Sequence, residues 1–149
     1  MADTKPISPS YLDMPTMRAS AVLPGAGAFD ASPLEVPCQD FKFVTLYITY
    51  TRGGAGGAVT LRIEVSPDTS GNTWYRSGLY EPSAVASGSD ATSELQREFI
   101  KYGSTAAGAE YVVFGPLVLQ GGIQRMRIAC AESGAVGTPG TCAIRALFS

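Results

Sequence analysis

Apolar and polar residues alternate with a period of two along much of this chain. The clearest stretch runs from Phe43 to Trp74. Val44, Leu46, Ile48 and Tyr50 alternate with Thr45, Tyr47, Thr49 and Thr51, and Val59, Leu61, Ile63 and Val65 alternate with Thr60, Arg62, Glu64 and Ser66. Such alternation means half-buried β-strands, and the β-branched and aromatic residues in both runs suit them. Between the runs, Arg52-Gly53-Gly54-Ala55-Gly56-Gly57 reads as a hairpin turn in which glycine takes positive φ at little steric cost. Symmetric closure pairs Tyr50 with Val59, Ile48 with Leu61, Leu46 with Ile63 and Val44 with Val65, all apolar. A slip by one residue would turn the apolar set of one strand outward, so this register is well specified. The opposite face pairs Tyr47 with Arg62 and Thr45 with Glu64, a polar surface that carries an aromatic ring.

A second hairpin is predicted at the C-terminal end. Gln124, Met126, Ile128 and Cys130 alternate with Arg125, Arg127 and Ala129, and Cys142, Ile144, Ala146 and Phe148 alternate with Ala143, Arg145 and Leu147. Closure pairs Cys130 with Cys142, Ile128 with Ile144 and Met126 with Ala146 on one core face. A cross-strand disulfide is geometrically feasible at that register, but reduced buried thiols are the expectation in a cytoplasm. The outer face sets Arg127 opposite Arg145. Two like charges side by side destabilise unless an acid bridges them, which makes Glu64, Glu132 or an acidic group on a partner the expected bridge.

The rest of the chain is punctuated by turns. Residues 1–17 form an extended N-terminal arm, because Pro6, Pro9 and Pro15 remove amide donors and block helix. Tyr11, Leu12, Met14 and Met17 are more apolar than a solvated tail needs. They predict an arm that docks on its own domain or on a neighbouring subunit, with a disordered terminus as the alternative. Residues 18–149 then make a single domain. Arg18 to Leu23 is a strand candidate, and Phe29 to Val36 is a loop or an edge strand on account of Pro33 and Pro37. Asp68 and Gly71 build a turn that ends on Trp74. The acidic count there is too low for a calcium site. The segment Glu94 to Tyr102 holds good helix formers, yet its all-β surroundings favour a strand. Glu110 to Leu119 is apolar, and Gly115-Pro116 within it implies a kink or a bulge where a strand crosses between sheets. About eight strands result, which implies an all-β, antiparallel β-sandwich of jelly-roll-like form.

Composition narrows the function. The chain has 149 residues, of which 16% are charged, and its net charge is −2. It has no run of like charges and no basic stripe, which argues against nucleic acid as a partner. No apolar run is long enough to cross a membrane as a helix, and the Met1 end has no charged-then-apolar leader, so synthesis in a cytoplasm is expected. Histidine is absent, and Cys38, Cys130 and Cys142 have no metal spacing. No nucleophile elbow, phosphate loop or dinucleotide fingerprint occurs. Glu64, Glu81, Glu94, Glu98 and Glu110 are scattered rather than paired as a glycosidase requires. The expectation is a protein that is not an enzyme, with no cofactor and no small-molecule substrate.

The phrase Ile63-Glu64-Val65-Ser66-Pro67-Asp68, followed by Gly71, Thr73 and Trp74, resembles a turn common in β-sandwich domains of phage virion proteins. With the small size, the proline-rich arm and the lack of catalytic motifs, the whole chain resembles the capsid decoration (cement) proteins of tailed phages. That resemblance implies a structural virion protein on the capsid surface. It would be a homotrimer bound to the major capsid protein at local threefold points, clamping adjacent capsomers. The arm candidates are Tyr11, Leu12, Met14 and Met17. The surface candidates are Tyr47, Arg62, Trp74, Tyr75, Arg127 and Arg145, because aromatics and arginine carry interface energy. Two other classes fit the same residues. One is a carbohydrate-binding β-sandwich using Trp74, Tyr75 and Tyr80 as a stacking platform, and the other is a tail or connector virion protein.

Overall fold

The computed structural model describes residues 14–25, 27–76, 99–119, 121–134 and 136–149. Tyr11, Leu12 and Tyr80, with most of the predicted arm and the start of the Glu94 to Tyr102 segment, lie outside the described residues. Nine strands and no helix occur among the described residues: β1 (Thr16–Val22), β2 (Val36–Pro37), β3 (Phe43–Thr51), β4 (Ala58–Ser66), β5 (Tyr75–Arg76), β6 (Phe99–Gly103), β7 (Glu110–Val118), β8 (Arg125–Glu132) and β9 (Thr141–Phe148). The chain is therefore all-β, and β6 realises the strand reading of its region.

Two antiparallel sheets face each other. The first has the order β1-β9-β3-β7; in the second, β2-β8-β4 is followed along the outer edge of β4 by β6 and then β5. Alternation identifies the core face of β3, β4, β8 and β9. Val44, Leu46, Ile48 and Tyr50 of β3 and Val59, Leu61 and Ile63 of β4 are buried, as are Met126, Ile128 and Cys130 of β8 and Cys142, Ile144 and Ala146 of β9. They form one cluster, and each fully buried aliphatic side chain contributes about 1.5–3 kcal/mol.

Neither expected hairpin exists. β3 pairs with β9 and β7, whereas β4 pairs with β8, β5 and β6. The glycine-rich turn carries the chain from one sheet to the other, and so does the connection from β8 to β9. Tyr50 stands beside Cys142 and Ile48 beside Ile144, while Leu61 stands beside Cys130 and Ile63 beside Ile128. The residues expected to pair within a sheet instead look at each other across the core. Tyr47 and Arg62 therefore lie on the outer faces of different sheets, as do Arg127 and Arg145.

The bulge expected in β7 is present, but the strand does not change sheets. Val44 pairs with Leu117 and Leu46 with Phe114, so Gly115 and Pro116 together stand opposite Thr45. Gly115 has φ +130°, and a Cβ there would lie 2.9 Å from the Val44 carbonyl oxygen, so only glycine fits.

The turn between β3 and β4 uses its glycines differently from the expectation. Within it only Gly56 has positive φ. Gly53 is needed for close approach: a Cβ there would meet the Thr138 carbonyl oxygen at 2.0 Å. From the facing loop, a Cβ on Gly134 would meet the Gly56 carbonyl oxygen at 2.3 Å and one on Gly140 the Thr51 carbonyl oxygen at 2.4 Å. The two sheet-switching loops are packed backbone against backbone.

Candidate interaction surfaces

The outer face of the second sheet carries a ladder of charges and rings. Glu64 of β4 stands opposite Arg127 of β8 in register, and Arg127 Nε donates to Glu64 Oε2 at 2.6 Å. Arg62 Nε lies 3.3 Å from Glu64 Oε1, close enough for attraction but not aligned as a hydrogen bond. The Arg62 guanidinium sits 4.3 Å from the centre of the Phe29 ring. At the other end, Trp74 receives two guanidinium groups, Arg127 at 4.2 Å and Arg125 at 4.7 Å from its ring centre. Arg125 is buried and donates to the carbonyl oxygens of Asp68 (2.8 Å) and Gly71 (3.1 Å) and to the Glu35 carboxylate. It thereby ties the Asp68 turn to β8. Glu64 is thus the bridging acid, and the acid expected between Arg127 and Arg145 has no such role because those arginines are on opposite sides of the molecule.

Of the sequence-derived surface candidates, Arg62, Trp74 and Arg127 come together in this ladder. Their charges and rings are engaged by one another. The indole N–H of Trp74 is buried without a hydrogen-bond partner. A ring that already holds two guanidinium groups offers little of itself as a sugar platform. Tyr75, beside Val65 at the sheet edge, is exposed.

The outer face of the first sheet has the opposite character. Arg145, Tyr47 and Val113 form one row across β9, β3 and β7, and Ala143, Thr49 and Tyr111 form the next. Tyr111 is 81% exposed and Val113 60% exposed. Tyr47, Thr49, Tyr111 and Val113 line a shallow, mainly apolar groove of about 290 Å³ between β3 and β7. Arg145 donates to the Met14 carbonyl oxygen at 3.2 Å. Tyr47 and Arg145 are the sequence candidates on this face; Tyr111 and Val113 were not among them.

Met14 and Met17 are packed against their own domain. Met17 is fully buried in the core, and Met14 is buried where the Pro15 carbonyl oxygen accepts the Ala146 amide.

Three buried polar arrangements lie away from both faces. Glu132 continues the core parity of β8 and is 5% exposed. Its carboxylate accepts the amides of Ala58 (2.9 Å), Gly134 (3.1 Å) and Gly140 (2.9 Å) and the Tyr50 hydroxyl (3.0 Å). Burial pushes its carboxyl up, but those donors outweigh burial and hold it below the usual carboxylate range. Tyr50 is pushed upward by burial and by the same contact. The Arg18 guanidinium pairs with Asp30 through Nε at 2.8 Å, and Asp30 also accepts the Cys130 amide at 3.0 Å. The three cysteines are buried free thiols. Cys130 and Cys142 hydrogen-bond across the core, and this contact together with burial pushes the Cys130 thiol well up. Burial alone pushes Cys38 up to about 11. Cys38 and Cys130 are therefore poor nucleophiles at neutral pH.

Among the described residues no group of three His, Cys, Asp or Glu side chains is placed to hold a metal ion, and no helix is long and apolar enough to cross a membrane. No family model, curated protein or solved structure matches the chain.

Proposed function

We propose that this chain is a structural, non-enzymatic virion protein that binds the outside of a phage capsid and reinforces it. The observation that carries the reading is the contrast between the two outer faces. The second sheet's arginines, acids and rings engage one another, whereas the first sheet exposes Tyr111 and Val113, which with Tyr47 line an apolar groove. An exposed aromatic and apolar patch has the composition of a protein interface. The strand order supports a jelly-roll reading: except in the β4–β5–β6 stretch, each strand lies in the other sheet from the one before it.

In this reading the partner is the major capsid protein, and the chain works as a homo-oligomer, a trimer by the family resemblance. It is made in a host cytoplasm and resides on the capsid surface. The mechanism is additive: each copy buries apolar area against the shell, and many copies together raise the free energy of disrupting it. Co-sedimentation with purified mature shells tests it. The wild-type chain pellets with shells, and Tyr111→Ser together with Val113→Ser weakens binding at least about tenfold, as expected for a central aromatic contact. A chain that stays in the supernatant overturns the capsid reading. Binding on a glycan screen, in the absence of shells, would move the assignment to the carbohydrate class.

A further inference from the structure

We propose that the Tyr111–Val113 stretch of β7 is a self-association edge, along which a second copy of this chain adds its own β7, antiparallel, across a two-fold axis at Val112. Sheet edges present unpaired amides and carbonyls, and proteins that must stay apart blunt them with bulges, prolines, charges or very short strands. The other described edges are blunted in these ways. β1 is broken by two register irregularities. β2 has two residues, one of them Pro37. β6 carries an exposed Lys101. The C-terminal half of β7 itself carries the bulge and Pro116.

The stretch from Glu110 to Phe114 has none of these devices. It pairs with Tyr50 to Leu46 of β3 without irregularity. From Tyr111 to Gln124 the chain contains no charged residue. Glu110, the one charge at its start, accepts the Tyr102 hydroxyl at 2.7 Å. Self-pairing therefore brings no like charges into contact.

The second copy's β7 is the occupant because β1, β2 and β6 of that copy carry blunting features and this stretch of β7 carries none. The two-fold at Val112 maps this regular stretch onto itself. It sets Tyr111 opposite Val113 of the second copy and Val113 opposite Tyr111, an aromatic–β-branched pairing that strands favour. On the inner side, Val112 has core parity but is only partly buried, in the last described strand of its sheet. The added strand covers it. The result is a sheet continuous through both copies, with their two β3–β7 grooves meeting at the junction. A short strand junction falls below the roughly 1,200 Å² of a standard interface, so the expected dissociation constant is on the order of 10–100 µM.

The proposal stands apart from the capsid reading, and its test needs no shells. Sedimentation velocity of the full chain over a concentration series across that range should show a reversible monomer–dimer equilibrium. Val113→Lys, at an exposed position, should leave the thermal melt in place and weaken the dimer at least about tenfold, through lost apolar contact and lysines brought together at the axis. A Tyr111→Cys/Val113→Cys double variant should form an intermolecular disulfide on mild oxidation, because those positions are opposite one another across the axis. A wild-type chain that stays monomeric throughout overturns the proposal. So does an oligomer of any order that Val113→Lys leaves intact, or a double variant that oxidises without giving covalent dimers.

Discussion

Glu132 shows how far one residue's parity reaches. It follows Met126, Ile128 and Cys130 on the core face of β8, yet it is a carboxylate with three amide donors and a tyrosine hydroxyl. Those amides belong to the start of β4 and to both ends of the facing loop, so a single side chain ties together the two loops that switch sheets. Replacing it with glutamine leaves one acceptor oxygen for four donors. Glu132→Gln should cost about 1–3 kcal/mol in urea unfolding at neutral pH. The pH dependence has a definite sign. The folded carboxyl titrates below its unfolded value, so its stabilisation is present above the unfolded value and is lost as pH falls through the folded one. Wild-type melting temperature should fall as the pH drops through and below the ordinary carboxylate range, and the variant should lose less over the same interval. Equal acid sensitivity would show that Glu132 is not the titrating tie.

At the scale of elements, the ladder and the glycine loops make separate forecasts. Exposed ion pairs contribute about 0–1 kcal/mol, but Glu64 is 7% exposed and shares its charge between two arginines. Arg127→Ala removes the aligned partner and one of the cations on Trp74, and should cost about 2–3 kcal/mol. A double-mutant cycle with Glu64→Gln should return a coupling above the surface-pair range. In the loops, Gly53→Ala forces a backbone clash and should cost about 2–4 kcal/mol, whereas Gly137→Ala meets nothing and should stay within about 0.5 kcal/mol. Similar losses at the two glycines would mean that the loops do not depend on close approach. Alternation along β3, β4, β8 and β9 made the core face of those four strands legible. It left the neighbours illegible, because apolar residues related by a symmetric closure meet either side by side in a hairpin or face to face across a sandwich. A loop as long as Arg52–Gly57 serves both. Its glycines read as turn formers for the same reason, since a sequence does not reveal that another loop's backbone will lie against them.

For the whole molecule, the two outer faces divide the sequence-derived candidates. Arg62, Trp74 and Arg127 were legible one by one, because aromatics and arginines at outward parity stand out, but their meeting through Glu64 and the Trp74 ring depends on β4 lying beside β8. Tyr47 and Arg145 were legible for the same reason and do share a face. Tyr111 and Val113 were not, because EYVVFGPLVL contains no polar alternation and reads as buried on both sides. In a two-sheet sandwich one face of β7 meets the core, and its other apolar side, with Tyr111 and Val113, is left exposed on the outer face.

The sheet-switching connections also govern how the chain reaches this structure. Strands adjacent in sequence are mostly not partners, so few contacts can form early from local segments. β1 waits for β9, which lies at the far end of the chain, and β3 waits for β7 and β9. Folding therefore has to close long loops before contacts compensate for the lost entropy, which places the protein among slow, topologically demanding folders. Neither half of the chain holds a complete sheet of its own, so a polypeptide stalled before β8 and β9 emerge exposes long, apolar, unpaired strands, and chaperone demand during synthesis should be highest just before the last strands are made.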